Sequence, residues 1–158
     1  MLFANCFDYL CILNESSDIS SSTVSTTSVF SIAATAATKK HYIMTFDIGQ
    51  AYLNADIKEL VLVRLDPISA RILCQIDSEY SKYLLQDKSM VVKLNKALYG
   101  CVKSARLWYE HLKSVMLRIG YQINPLDQCV FNKFDPSSNV VSTVCFHVDD
   151  GLATSPFQ

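Results

Sequence analysis

The run Val140-Val141-Ser142-Thr143-Val144-Cys145-Phe146-His147-Val148 is rich in β-branched and aromatic residues, and it ends on two adjacent carboxylates, Asp149 and Asp150. A fold that buries such a run cannot also bury two like charges unless a cation neutralises them, so the acids belong at a surface or beside a metal. Asp150-Gly151 is a tight-turn dipeptide followed by Leu152-Ala153-Thr154, so the stretch reads as a β-hairpin with both acids at or beside its tip. Taken alone, a solvated Asp-Asp-Gly turn is the simplest account, because such turns are common. The alternative is a metal site.

A third carboxylate makes that alternative stronger. The segment His41-Tyr42-Ile43-Met44-Thr45-Phe46-Asp47 begins as a mostly apolar strand and is broken by Asp47, after which Ile48-Gly49-Gln50 leads into Ala51-Tyr52-Leu53. An acid at that point marks a strand end facing a cleft; for one residue by itself, an edge carboxylate pointing at water would serve as well. Three acids placed this way can hold two metal ions.

The remaining elements follow from pattern. Residues 14–23 are a polar linker rich in helix-capping side chains, and the helix expected after it has Val29, Phe30, Ile32, Ala33, Ala36 and Ala37 as its apolar face. Lys39-Lys40 stand at its end, where the helix dipole favours cations. A strand is expected over 42–48, a short helix or turn near 50–58, and a second strand over 60–65, stopped by Pro67. Residues 66–90 read as a polar, irregular connection with at most a helical turn near Ile72 and from Tyr80 to Leu85. Ala105, Trp108, Tyr109, Leu112, Met116 and Ile119 recur at helical spacing, with Ser104 to cap the start and Gly120 the end, and this stripe reads as core. Gln128–Phe134 and Val140–Val148, joined by residues 135–139, form a hairpin that leads into the acids. The sum is an α+β domain, an antiparallel sheet with helices packed on one face.

Composition narrows the class. At 158 residues, 50% hydrophobic and 18% charged, the chain suits one domain with a real core and not a disordered one. Its six cysteines show no C-x-x-C pair, which argues against zinc and disulfide frameworks and for a reducing intracellular compartment. Residues 1–13 are apolar but too short to span a bilayer, and they lack the basic start of a signal peptide, so no membrane partner is expected. With a formal net charge of -1 the chain has no generally basic surface, so a grip on nucleic acid must come from a local patch. Lys93, Lys96, Lys103 and Arg106 are the candidate patch; a solvated basic face is the equal alternative.

Three blocks carry a resemblance. Phe46-Asp47-Ile48-Gly49-Gln50-Ala51-Tyr52-Leu53-Asn54-Ala55-Asp56 resembles the first palm motif of copia-type LTR-retrotransposon reverse transcriptases, and His147-Val148-Asp149-Asp150 resembles their Tyr-Val-Asp-Asp. Between them, Val92 to Gly100 followed by Ser104, Arg106, Trp108 and Tyr109 is similar to the family's Leu-Tyr-Gly, Ser-Pro-Arg and Trp-Tyr block. The motifs run from about residue 24 to about 155, which leaves 1–23 as an unassigned segment and makes 24–158 a partial palm domain.

The resemblance implies a fragment of a Pol polyprotein with a polymerase palm-like sheet, its fingers and thumb incomplete or absent. It implies an RNA-directed DNA polymerase that uses two magnesium ions, with manganese as substitute, and that takes dNTPs and an RNA/DNA template-primer as partners beside other segments of the polyprotein. Asp47 and Asp149 would be the main metal ligands and Asp150 the supporting one. Ala51, Tyr52 and Lys103 would meet the nucleotide, Tyr52 by excluding a 2′-hydroxyl; on its own Tyr52 reads equally as a core aromatic. Lys93, Lys96 and Arg106 would meet nucleic acid. Four positions depart from the family pattern: Val102 stands for Lys, Lys103 for Gln, Ala105 for Pro and His147 for Tyr, the last taken as structural. The competing expectation is a catalytically inactive remnant that binds nucleic acid weakly. A metal-dependent hydrolase ranks last, because only His147 could activate water.

Overall fold

A computed structural model of the chain describes residues 7–8, 21–101 and 103–156; the linker residues 14–20, the rest of the amino-terminal apolar run and Val102 lie outside the described residues. Chain order runs β1 (Phe7–Asp8), α1 (Thr26–Lys39), β2 (Tyr42–Asp47), a short 3-10 helix (Ala51–Asn54), β3 (Asp56–Leu65), α2 (Pro67–Ile76), a second 3-10 helix (Ser78–Tyr83), β4 (Met90–Lys96), α3 (Ser104–Arg118), β5 (Gln122–Asn124), β6 (Asp127–Asp135), β7 (Val140–His147) and β8 (Asp150–Ser155). The strands form two antiparallel sheets, β1-β3-β4 and β2-β8-β7-β6-β5.

The helical stripe after Gly100 forms α3 as expected. It buries Trp108, Leu112 and Met116 against Phe131, Val144 and Phe146 of the five-stranded sheet. Gly120, at φ 91°, ends the helix in a conformation that suits glycine. Its start differs from expectation. Lys103 occupies the N-cap without a capping bond from its side chain, while the buried Ser104 hydroxyl accepts the Leu98 N–H at 3.0 Å and ties down the preceding loop. Ile119 falls past the helix end and is half exposed.

The helices do not share one face of the sheet, and this corrects the expected layering. In β6 and β7 three consecutive residues are buried, Cys129-Val130-Phe131 and Val144-Cys145-Phe146. Neighbouring side chains on a strand point to opposite faces, so both faces are covered. Phe131, Val144 and Phe146 face α3, whereas Val130, Asn132, Thr143 and Thr154 line a groove with Ser31, Ile32 and Thr35 of α1. α1 is a loose cover: Ala36 is its one buried residue among those described, and Phe30 is 70% exposed. Its small Ala and Ser side chains allow contact without a deep apolar seam.

What anchors α1 is polar. Ser25 caps it through its side chain, and the Asp127 carboxylate, at the start of β6, accepts from the Ser25 N–H (3.0 Å) and the Ser28 hydroxyl (2.6 Å). An anion at a helix N-terminus is favourable. Burial works against the Asp127 charge, but the Ser28 hydroxyl and the Ser25 and Cys129 backbone donors outweigh it and lower the carboxyl pKa. A folded pKa below the unfolded one contributes stability that is present above the unfolded carboxyl value and lost as pH falls through the folded one. Asp127→Asn should therefore destabilise the chain at pH 7 by about 0.3–1 kcal/mol, the usual worth of an anion at a helix N-terminus. Urea midpoints of parent and variant should converge on acidification below roughly pH 4, the ordinary carboxylate range.

Residues 66–90 are more ordered than expected. Asp66 caps α2 by accepting from the Ile68 and Ser69 N–H groups, and Pro67 takes the first helical position, where its missing N–H costs nothing. Pro67 starts a helix as well as stopping a strand. The second strand is longer than 60–65, because β3 begins at Asp56 and crosses a register shift between Asp56 and Val61. No helix among the described residues is long and apolar enough to cross a membrane. Among the described residues Cys74, Cys129 and Cys145 take part in no disulfide, and burial pushes the Cys129 thiol up to about 11.

Candidate active site

β2 and β8 lie side by side, and their register sets Asp47 directly opposite Asp150. β7 and β8 in turn set His147 opposite Asp150. Directly opposed residues of antiparallel strands share a face with Cβ atoms about 5 Å apart, so Asp47, Asp150 and His147 form one row. All three are exposed, and the row lines a groove of about 490 Å³ beside Val24 and Val29. His147 is thus a surface neighbour of an acid and not a packed core residue.

The turn differs in position from the sequence reading. His147 and Asp150 close a two-residue turn whose central residues are Val148 and Asp149, while Asp150-Gly151 already belong to β8. Val148 adopts φ 62°, a costly conformation for a β-branched residue. Two bonds hold it there: the Trp108 indole N–H donates to the Val148 carbonyl at 2.7 Å, and the Ile48 N–H donates to the Asp149 carbonyl at 2.9 Å. The core helix and the residue just after β2 therefore both fix the backbone that presents Asp149. Sequence reading treated Trp108 as core alone; nothing in the helical period signals its polar role.

Gly151 explains how Phe46 and Asp47 sit. Phe46 lies across from Gly151, and its ring packs edge-on to Phe146 at 5.8 Å between centroids. A methyl added at Gly151 would lie 2.3 Å from Phe46 Cζ, whereas one added at Gly49 would meet nothing within 4 Å. Gly151→Ala should displace the Phe46 ring and cost about 1–3 kcal/mol, as overpacking does. Gly49→Ala should be near neutral. Urea unfolding of the two variants beside the parent measures this.

Tyr52 stands next to the acids. Its ring stacks on Tyr99 at 4.1 Å between centroids, and the Tyr99 hydroxyl donates to Asp149 Oδ2 at 3.2 Å. Burial, then the charge of Asp149, raises the phenol pKa of Tyr52; burial, then the charge and the hydrogen bond of Asp149, raises that of Tyr99. Ala51 is fully buried in the core cluster with Trp108 and Leu112. The structure thus gathers Asp47, Asp149, Asp150 and Tyr52 at one end of the sheet.

The basic residues are arranged differently. Lys103 pairs with Glu59 at 2.7 Å and Lys96 with Asp56 at 2.7 Å, the Lys96 ammonium holding the Asp56 carboxyl below its usual range. Lys103 and Glu59 line a cavity of about 460 Å³ between β3 and α3 with Asp56 and His111. Lys93 is exposed on β4 and Arg106 exposed on the first turn of α3.

Magnesium takes hard oxygen donors and is satisfied by one or two carboxylates plus water and phosphate. Among the described residues no three His, Cys, Asp or Glu side chains are grouped so as to hold a metal ion, but the facing carboxylates of Asp47 and Asp150, with Asp149 beside them, are donors of the right kind.

Comparison with known proteins agrees with the motif reading. The chain is 31% identical over 140 residues to two Gag-Pol polyproteins of Saccharomyces cerevisiae, those of transposons Ty1-DR5 and Ty1-LR2, a match that covers 88% of this chain and 7% of each relative. No solved structure matches it. Residues 6–156 match the family described as reverse transcriptase (RNA-dependent DNA polymerase). The copia-type resemblance of the three blocks thus extends along nearly the whole sequence, and the chain belongs to the reverse transcriptase family.

Proposed function

We propose that this chain carries the catalytic palm of an RNA-directed DNA polymerase, in which Asp47 and Asp149 are the main metal ligands and Asp150 supports them. The observation that carries the reading is the register of β2 on β8, which brings Asp47 opposite the acidic turn from about a hundred residues away in sequence. Two magnesium ions, or manganese in their place, would activate the primer hydroxyl and neutralise charge on the transferred phosphate. Tyr52, beside Asp149, would close off the space under the incoming sugar, and Ala51 would set the depth of that space by packing under it. Lys103 would meet triphosphate, and Lys93, Lys96 and Arg106 the template-primer backbone. Lys96 and Lys103 must first leave Asp56 and Glu59, a small cost because both carboxylates are largely exposed and ion pairs open to solvent are weak. The chain spans 7% of the curated polyproteins it matches, so other segments of such a polyprotein are its expected partners, in an intracellular compartment where RNA is available.

A second reading is supported by those same ion pairs and by the absence of a grouped metal-binding triad among the described residues. It is a catalytically inactive module that binds nucleic acid weakly. dNTP incorporation by the purified chain on an RNA template with a DNA primer, in magnesium and then manganese, separates the two. Template-dependent extension supports the polymerase. No extension, together with retained binding of the template-primer, supports the inactive module.

A further inference from the structure

The loop between β4 and α3 is tied down by bonds from Ala97, Leu98 and Cys101 and from Ser104 at the helix start. The Ala97 N–H donates to the Ala55 carbonyl at 2.9 Å, the Leu98 N–H to the Ser104 hydroxyl at 3.0 Å, the Cys101 N–H to the Leu98 carbonyl at 3.2 Å, and the Ser104 N–H to the Cys101 carbonyl at 3.1 Å. Gly100, at φ 93°, lets the chain reverse inside this frame. Tyr99 is the crest of the loop. Its ring rests on Tyr52 with planes inclined by 32°, and its hydroxyl meets the Asp149 side chain from fifty residues away in sequence.

Asp149 is otherwise free only in its side chain, because its carbonyl and that of Val148 are both engaged. A partly exposed carboxylate on a turn samples several rotamers, and a cation must select one of them at an entropic cost. A donor on one oxygen removes that cost beforehand. The carboxylate has two oxygens and about four acceptor positions, so the bond to Oδ2 leaves Oδ1 available.

We propose that Tyr99 is a positioning residue for divalent-cation binding: its hydroxyl fixes the Asp149 carboxylate in a cation-accepting orientation, and its ring, stacked on Tyr52, fixes the hydroxyl. The inference rests on the proposed function, since it needs Asp149 to bind a cation. Residues that orient metal-binding side chains typically change metal affinity by about 10- to 100-fold when removed. Phenylalanine at this position keeps the ring and the stack and removes only the donor.

The test is a manganese titration of the purified chain followed by the electron paramagnetic resonance signal of free Mn2+, with parent, Tyr99→Phe and Asp149→Asn compared and each protein's thermal midpoint measured. The expected result is that Tyr99→Phe weakens manganese binding about tenfold with an unchanged midpoint, while Asp149→Asn weakens it at least as much. If Asp149→Asn weakens binding and Tyr99→Phe leaves it at the parent value, the positioning role is overturned and the metal site stands. If neither variant changes binding, Asp149 is not a ligand and both readings fall. A Tyr99→Phe variant with a lowered midpoint and parental affinity is also a negative, assigning the residue to packing alone.

Discussion

Replacing Asp149 by Asn is expected to remove template-dependent dNTP incorporation by roughly a thousandfold or more while leaving the chain folded with a midpoint at or slightly above the parent's. The two halves of this expectation have different causes. A bound cation supplies several kcal/mol of charge stabilisation in a phosphoryl transfer, and each 1.36 kcal/mol lost is a factor of ten in rate. On the proposed ligand role of Asp149, withdrawing its carboxylate takes away most of that. Stability moves little because Asp149 is a turn residue whose packing comes from its backbone, held by Ile48, and Asn keeps an oxygen that can accept from Tyr99. Removing one of three neighbouring negative charges also relieves repulsion. Primer extension with the purified chain, paired with thermal unfolding, reads both effects; a variant that fails to fold would undermine the proposed ligand role of Asp149.

The largest expected loss of stability is at Trp108. Its side chain is 4% exposed and packs in the cluster of Leu112, Met116, Phe131 and Phe146. Trp108→Ala leaves a cavity and should cost about 3–5 kcal/mol, a large share of the roughly 5–15 kcal/mol that a whole domain possesses. Part of the loss has a polar origin, because the indole N–H is the donor that holds the Val148 carbonyl at φ 62°. Trp108→Phe separates the contributions. It restores most of the packing and none of the hydrogen bond, so it should recover much of the stability yet leave the turn less ordered. Urea unfolding gives the first quantity, and amide exchange at Asp149 and Asp150 gives the second. Equal exchange protection in parent and Trp108→Phe would show that the turn does not depend on the indole.

Much of this architecture is legible in local pattern. The period from Ala105 to Met116 predicts α3 and its buried stripe, since a 3.6-residue repeat of large apolar groups has one stable use. The β-branched run from Val140 predicts a strand ending at the acids. The turn itself is misread by one pair of residues, because Asp150-Gly151 has strong turn propensity, yet Gly151 is needed inside β8 to make room for the Phe46 ring. α2 was legible in principle from Asp66-Pro67, a capping residue followed by a proline at the first helical position, and was obscured by the polar residues around it. The expectation of helices on one face failed because the apolar face of α1 signals that the helix packs on a sheet but not on which side, and here it lies opposite to α3.

The sequence by itself determined the kinds of groups present: three carboxylates, an aromatic helix and the motif order of a reverse transcriptase, all encoded by residue type and local spacing. Only the tertiary structure decided which of them meet. Asp47 opposes Asp150, Tyr99 reaches Asp149, and Lys96 and Lys103 are held by Asp56 and Glu59, because strand register and loop closure join residues whose separation along the chain leaves no periodic trace.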